Sequence, residues 1–239
     1  MSDLVDFAIQ AHGGLDRFKS FNFLTARLRQ GGALWGLKGH PSTLEDAHVK
    51  IDLTREWASH WPFAPSGNHS IFTPERVVIE DEQGKTVEEL VHPRPTFAGY
   101  ELTTPWSDTQ LGYFAGYAMW NYLTAPFLFR EPGVVATEID NWEEAGETWR
   151  RLRVEFPDDI ATHSRFQTYY FDDTGLLRRH DYEVEIQGNN SAAHYLYDPV
   201  EVQGITLYSK MRIVPNTDTN VPLSEPELVT IDLSEYKFE

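Results

Sequence analysis

Cysteine is absent from the 239 residues, which removes disulfides, thiolate metal sites and cysteine nucleophiles together. Its absence fits a reducing compartment. Basic side chains are scarce: 20 Lys and Arg stand against 37 Asp and Glu, a formal charge of −17, so phosphate backbones and anionic membrane surfaces are repelled at long range. Nucleic acid is not an expected partner. No apolar run reaches membrane-spanning length, and the opening MSDLVDFAIQAHGG lacks the basic start and apolar stretch of a secretion signal. The expectation is a soluble, cytoplasmic chain without membrane insertion; nothing in the sequence speaks to its oligomeric state.

Motifs are missing too. There is no phosphate loop, no nucleophile elbow and no dinucleotide-binding glycine fingerprint, since Gly112 to Gly116 has no strand before it. The nine histidines show neither a His-Glu-x-x-His pair nor a ligating spacing with acidic residues. No metal and no other cofactor is expected.

What is present is an apolar fraction of 41% and an aromatic fraction of 13%, ample for a packed core. Without repeats, low-complexity tracts or a linker, residues 1–239 read as a single domain. Most of the chain has strand character, and Thr104 to Phe129 is the one long segment that is apolar on nearly every side. Ser107 and Gln110 have capping-box spacing and Pro126 forbids continuation, which predicts a helix from Asp108 to Thr124. Tyr113, Phe114, Tyr117, Trp120 and Tyr122 spread aromatics around it, so it needs cover on more than one face. A sheet curling around the helix would supply that cover.

The opening residues predict a short helix through Leu4, Phe7, Ala8 and Ala11, capped by Ser2 and stopped at Gly13-Gly14. Phe21 to Lys38 has β-type composition, Ala47 to Leu53 alternates, Ser59 to Ser70 reads as a loop, and Arg76 to Val91 as a hairpin. The stretch TWRRLRVEF reads as a half-buried strand.

Turn chemistry allows two hairpins to be registered. Asp172-Asp173-Thr174-Gly175 favours a type I turn with a glycine bulge, which sets Tyr170 opposite Arg178, Thr168 opposite His180 and Phe166 opposite Tyr182. At Gln203-Gly204, Val202 faces Ile205, Leu196 faces Met211 and His194 faces Ile213. Joining the hairpins at Gly188-Asn189-Asn190 places His180 beside Asp198. One polar row, Thr168, His180, Asp198 and Ser209, then crosses an apolar inner face.

In that register Asp198 orients His180 as a general acid or base, with Arg178, Tyr182 and Tyr170 flanking a carbonyl or anionic group. The same row also reads as a hydrogen-bond network that only specifies packing, and Pro199 marks a bulge that would swing Asp198 outward. Trp106, Tyr113, Tyr117 and Trp120 are candidates for lining an apolar pocket, and equally for plain core.

The stretches TYYFDDTGLLRRHDYEVE and DPVEVQGITLYSKMRIV resemble the carboxy-terminal half of the LolA/LolB-like lipoprotein-carrier superfamily, GETWRRLRVEFP is similar to the strand preceding it, and AIQAHGGLDRFKSF to its opening helix. The resemblance implies a mainly β (α+β) fold, a curved antiparallel sheet or open half-barrel wrapped around a central aromatic helix, with an apolar cavity between them. The superfamily holds periplasmic lipoprotein carriers and a cytosolic, cofactor-free enzyme of tryptophan-derived pigment synthesis. Without a secretion signal or lipid-attachment cysteine, a cytosolic member is expected. Two functions follow: a cofactor-independent lyase, isomerase or hydratase acting on an apolar or aromatic small molecule, or a non-catalytic carrier for an apolar ligand or lipid.

Overall fold

A computed structural model describes residues 3–63 and 67–239. Ser2, the expected first cap, and Pro65 of the expected loop lie outside the described residues. The helix α1 spans Asp3–Ala11 and buries Leu4, Val5, Ala8 and Ile9, the face its spacing predicts. A short turn of helix, α2, follows at Leu15–Phe18.

Strand β1, Phe23–Gly31, alternates buried and half-buried residues, but the β reading stops at the glycine pair. Residues Ala33–Lys38 form a helix, α3. Gly32 turns the chain at φ 104°, and a Cβ there would stand 2.5 Å from the carbonyl oxygen of Leu228, so only glycine allows α3 to fold back onto the chain. Then come β2 (Ala47–Asp52), β3 (Ala58–Phe63), β4 (Asn68–Thr73), β5 (Arg76–Glu80) and β6 (Thr86–Val91). The expectation of a loop over Ser59 to Ser70 is overturned by β3 and β4. Pro62 lies where the β3–β4 register shifts, between His60 and Phe63, so its missing N–H interrupts no regular ladder.

Helix α4 runs Asp108–Thr124 with the predicted capping box: Ser107 Oγ accepts from the Gln110 N–H while the Gln110 side chain accepts from the Ser107 N–H. Every residue from Thr109 to Thr124 is buried. The remaining strands are β7 (Val135–Glu144), β8 (Glu147–Glu155), β9 (Phe166–Phe171), β10 (Leu177–Val184), β11 (Asn190–Val202), β12 (Ile205–Pro215) and β13 (Val229–Phe238). Sequence reasoning missed β7, because it is an edge strand exposed along most of its length and carries no one-sided apolar pattern.

Among the described residues thirteen strands form one antiparallel sheet in the order β6-β5-β4-β3-β2-β1-β13-β12-β11-β10-β9-β8-β7. It curves without closing. Helix α4 lies in the chain between the two edge strands, β6 and β7, and sits in the hollow, packed on β2 through β6 on one side and touching His180 and His194 through Tyr122 on the other. The mainly β fold around a central aromatic helix is therefore as the sequence predicts.

Two registers differ from prediction. The Asp172–Gly175 turn begins as expected, with Phe171 opposite Leu177, but the pairing slips by one residue at Arg178. Beyond the slip Tyr170 pairs with Arg179, Tyr169 with His180 and Thr168 with Asp181. Phe166, expected on the inner face, is 45% exposed. The link between hairpins is a single 3₁₀ turn at Glu185–Gln187, shorter than assumed, and so His180 faces His194 instead of Asp198. The Gln203-Gly204 hairpin has the predicted partners throughout.

Candidate apolar site beneath the central helix

Because α4 is apolar all round, two of its faces meet different surroundings. Phe114, Ala115, Ala118, Met119 and Tyr122 look toward β10 to β13, and together with Leu34, Trp35, Val184, Ile213, Leu228 and Ile231 they line an apolar cavity. Its volume is ≈ 30 Å³, room for about one water molecule. Alanines 115 and 118 keep the helix side of the cavity open where larger side chains would fill it. Trp35 is fixed on the α3 side by donating its indole N–H to the carbonyl of Gly31 at 3.0 Å.

Polar groups rim this cavity. His163 is fully enclosed, hydrogen-bonded through Nδ1 with the Tyr117 hydroxyl at 3.1 Å and through Nε2 with the Tyr122 hydroxyl at 2.8 Å, and it stacks on Tyr182 at 4.0 Å. The Tyr122 and Tyr182 hydroxyls share a bond of 2.6 Å. His180 stacks on Tyr169 at 4.0 Å and its Nε2 meets Gln167 Oε1 at 2.5 Å. A carboxamide oxygen only accepts, so that ring carries its proton on Nε2. His194 lies 5.8 Å from His180, and neither of its ring nitrogens has a partner. Burial pushes His163 and His180 well below the usual imidazole range and His194 down to about 3. All three are neutral at pH 7.

Three of the lining residues carry a buried carboxamide oxygen without a partner: Gln30 Oε1, Gln187 Oε1 and Asn190 Oδ1. Gln30 and Gln187 are 7% and 2% exposed. A larger polar cleft of ≈ 280 Å³ lies by Arg94, Tyr113, Arg165 and Glu185, but its cations are already engaged. Arg94 donates to the Thr162 carbonyl and to Glu185, and Arg165 to Glu155.

The acid/base pair expected from the sequence is not assembled. Asp198 takes a left-handed backbone at φ 52°, the outward swing foreshadowed by Pro199, and pairs with Lys210 at 2.9 Å on the surface. Ser209 donates to the Asp198 carbonyl, also away from His180. Thr168 sits opposite Asp181 on the other face, and Tyr170 donates to Asp181 Oδ2 at 2.6 Å there. Arg178, at the slip in register, contacts Asp172 at 3.3 Å and Glu147 at 3.5 Å. The physical reason is one residue of slip in one hairpin and a shorter link to the next, which together move every partner of His180.

Among the aromatics in and just before the helix, Trp120 donates to the Asp52 carbonyl at 2.9 Å, Trp106 packs edge-on to Phe97 under the Lys38 ammonium, and Tyr113 borders the polar cleft. Tyr117 reaches the rim through His163 and packs edge-on against Phe114. Of the site residues expected from sequence, Tyr182 lines the apolar cavity, as do the helix aromatics Phe114 and Tyr122. His163, Gln30 and Gln187 were missed: His163 stands in the irregular stretch PDDIATHS, and the glutamines carry no pattern that separates them from surface residues.

Comparison with solved structures finds the same architecture at very low identity. A domain assigned to outer membrane lipoprotein sorting, from Vibrio parahaemolyticus, is 7% identical over 98% of this chain and 92% of its own, with a TM-score of 0.55. A DUF1329 family protein from Desulfovibrio piger is 11% identical over 99% and 92%, also at 0.55. A LolA superfamily protein from Nitrosomonas europaea is 8% identical over 94% and 91%, at 0.52. No family model matches the chain. No curated protein matches it either.

The fold is thus LolA-like. The expectation of a cytosolic member, and with it a cytoplasmic location, is corrected by these matches, whose descriptions point to the outer membrane and the LolA superfamily. Nothing in them supports the expected cofactor-independent chemistry.

Proposed function

We propose that the protein is a non-catalytic carrier or binding protein for an apolar or aromatic small molecule or lipid, held between α4 and the concave face of β10 to β13. The observation that carries this reading is the apolar cavity itself, lined by Leu34, Ala118, Met119, Ile213, Leu228 and Ile231 and lying beside the helix that the whole sheet encloses. The LolA-like fold of the matched structures supports it. The chemistry around His180 does not favour catalysis, because its neighbours are neutral and no carboxylate orients it.

At ≈ 30 Å³ the cavity is closed down, well short of the several hundred Å³ that enclose a typical ligand. Loading therefore requires the wall to open, and α3 supplies part of that wall through Leu34 and Trp35. That helix is held by the N–H groups of Ala33 and Leu34 on the carbonyls of Glu227 and Leu228, and by Lys38 Nζ on the carbonyls of Glu101 and Thr104. The Trp106 N–H also bonds the Lys38 carbonyl, and the Trp35 indole the Gly31 carbonyl.

Native mass spectrometry of protein purified from its own source, set against the denatured mass, tests the reading. A retained apolar molecule that is lost in Ala118→Trp, which fills the cavity, is the expected result. A clean mass, with no uptake of added apolar compounds, would overturn it.

A further inference from the structure

Three residues that line the same apolar cavity, Gln30, Gln187 and Asn190, each carry a buried carboxamide oxygen with no hydrogen-bond donor. They come from separate elements: Gln30 from β1, Gln187 from the 3₁₀ turn after β10, and Asn190 from the first residue of β11. The Gln30 amide nitrogen is already turned toward Met119 Sδ, at 3.7 Å, which leaves its oxygen as the free end. A buried acceptor without a donor is costly, and three at one cavity are not explained by packing of the apolar wall around them. Among the described residues no Lys or Arg lines the cavity, and the chain's formal charge is −17.

Resting on the apolar-ligand reading above, we infer that the ligand is an uncharged apolar molecule whose polar end carries O–H or N–H donors, an alcohol or an amide in chemical class, and that Gln30, Gln187 and Asn190 are the groups that accept from it. A carboxylate or phosphate head brings only acceptors to the three unpartnered oxygens and a negative charge that no lining cation pairs, and is disfavoured by both. An ether or ester fills the apolar part but satisfies none of the three oxygens. Selection acts through the head, and the cavity wall supplies affinity for the tail.

The test is a set of ten-carbon probes with one tail and different heads: 1-decanol, decanamide, methyl decyl ether and, at pH 8, decanoate. Dissociation constants are read by native mass spectrometry with wild type, Gln187→Leu and Gln30→Leu, after the unfolding midpoint of each variant confirms that it folds. The expected result is that decanol and decanamide bind wild type at least tenfold tighter than the ether and decanoate. In both variants that ratio falls to threefold or less while ether affinity is kept. Ether or decanoate binding as tightly as decanol would overturn the donor inference and leave the apolar carrier standing. A tenfold preference surviving in both variants would overturn the assignment to these glutamines. Binding of none of the four probes would overturn both readings.

Discussion

Two glycines on the same buried helix, Gly112 and Gly116, allow the depth at which α4 lies in the sheet to be tested against a built-in control. Glycine inside a helix is worth about 1 kcal/mol less than alanine, so each Gly→Ala change carries the same intrinsic gain. Their surroundings differ. A Cβ on Gly112 would stand 3.0 Å from Val77 Cγ1 and 3.5 Å from Ser70 Cβ, a contact that a small rotation of Val77 relieves. On Gly116 the same atom would lie 2.7 Å from Phe72 Cδ1 and closer still to Phe72 Cγ and Cβ. Phe72 is fully buried and packed edge-on against Tyr113, so it has nowhere to turn. Overpacking of this kind costs about 1 to 3 kcal/mol, sometimes more. Gly112→Ala is expected within about 1 kcal/mol of wild type, whereas Gly116→Ala loses about 2 kcal/mol net of the helix gain. Urea unfolding of the two variants, compared at unchanged slope, measures the difference. Equal stabilities would refute the close approach of α4 to β4 on which the position of the cavity rests.

Ser107→Ala removes the capping-box acceptor and is expected to lower stability by about 1 kcal/mol, measured by the same unfolding. His60 is fully buried with neither ring nitrogen bonded, and burial lowers it to about 4. Its folded value is depressed, so the stability it permits is complete above the unfolded value near 6.5 and is lost as pH falls from there toward 4. About 2 kcal/mol is lost at pH 5 from this residue alone, and His60→Leu should flatten the pH profile of the unfolding midpoint by one proton; an unchanged profile would count against a buried neutral ring. Arg179, wholly enclosed, is held by both oxygens of Asp181 and by Glu144. Arg179→Met is expected to cost about 3 to 5 kcal/mol and Arg179→Met with Asp181→Leu to restore most of it, which thermal unfolding of the single and double variants would check.

The legible parts of the sequence were those with local causes. Ser107, Gln110 and Pro126 set the ends of α4 through bonds made within a few residues, and Gln203-Gly204 set a hairpin whose pairs Val202–Ile205 and His194–Ile213 follow from one turn. The illegible parts depend on contacts distant in sequence. The slip at Arg178 occurs where its neighbour Arg179 is drawn among Tyr170, Tyr195 and Asp181 on the outer face, and no short-range rule registers that. Once it occurs, Thr168 and Tyr170 pass to the far face and the proposed polar row dissolves. The cavity was legible only as a class of feature. Aromatics at helical spacing marked α4 as enclosed, but Trp120 and Tyr113 face other neighbours and the small residues Ala115 and Ala118 make the space.

The strand order has a kinetic consequence. Strands β1 to β6 are neighbours in sequence as well as in the sheet, and so are β7 to β13, so each half can be laid down by successive hairpins. The two halves meet where β1 pairs with β13, Leu24 against Phe238 and Gly31 against Thr230. That seam joins nearly the whole length of the chain, and closing it carries the largest loop entropy in the molecule. Folding is expected to end there, with α4 already docked on the first half and the ligand cavity completed only when the seam shuts.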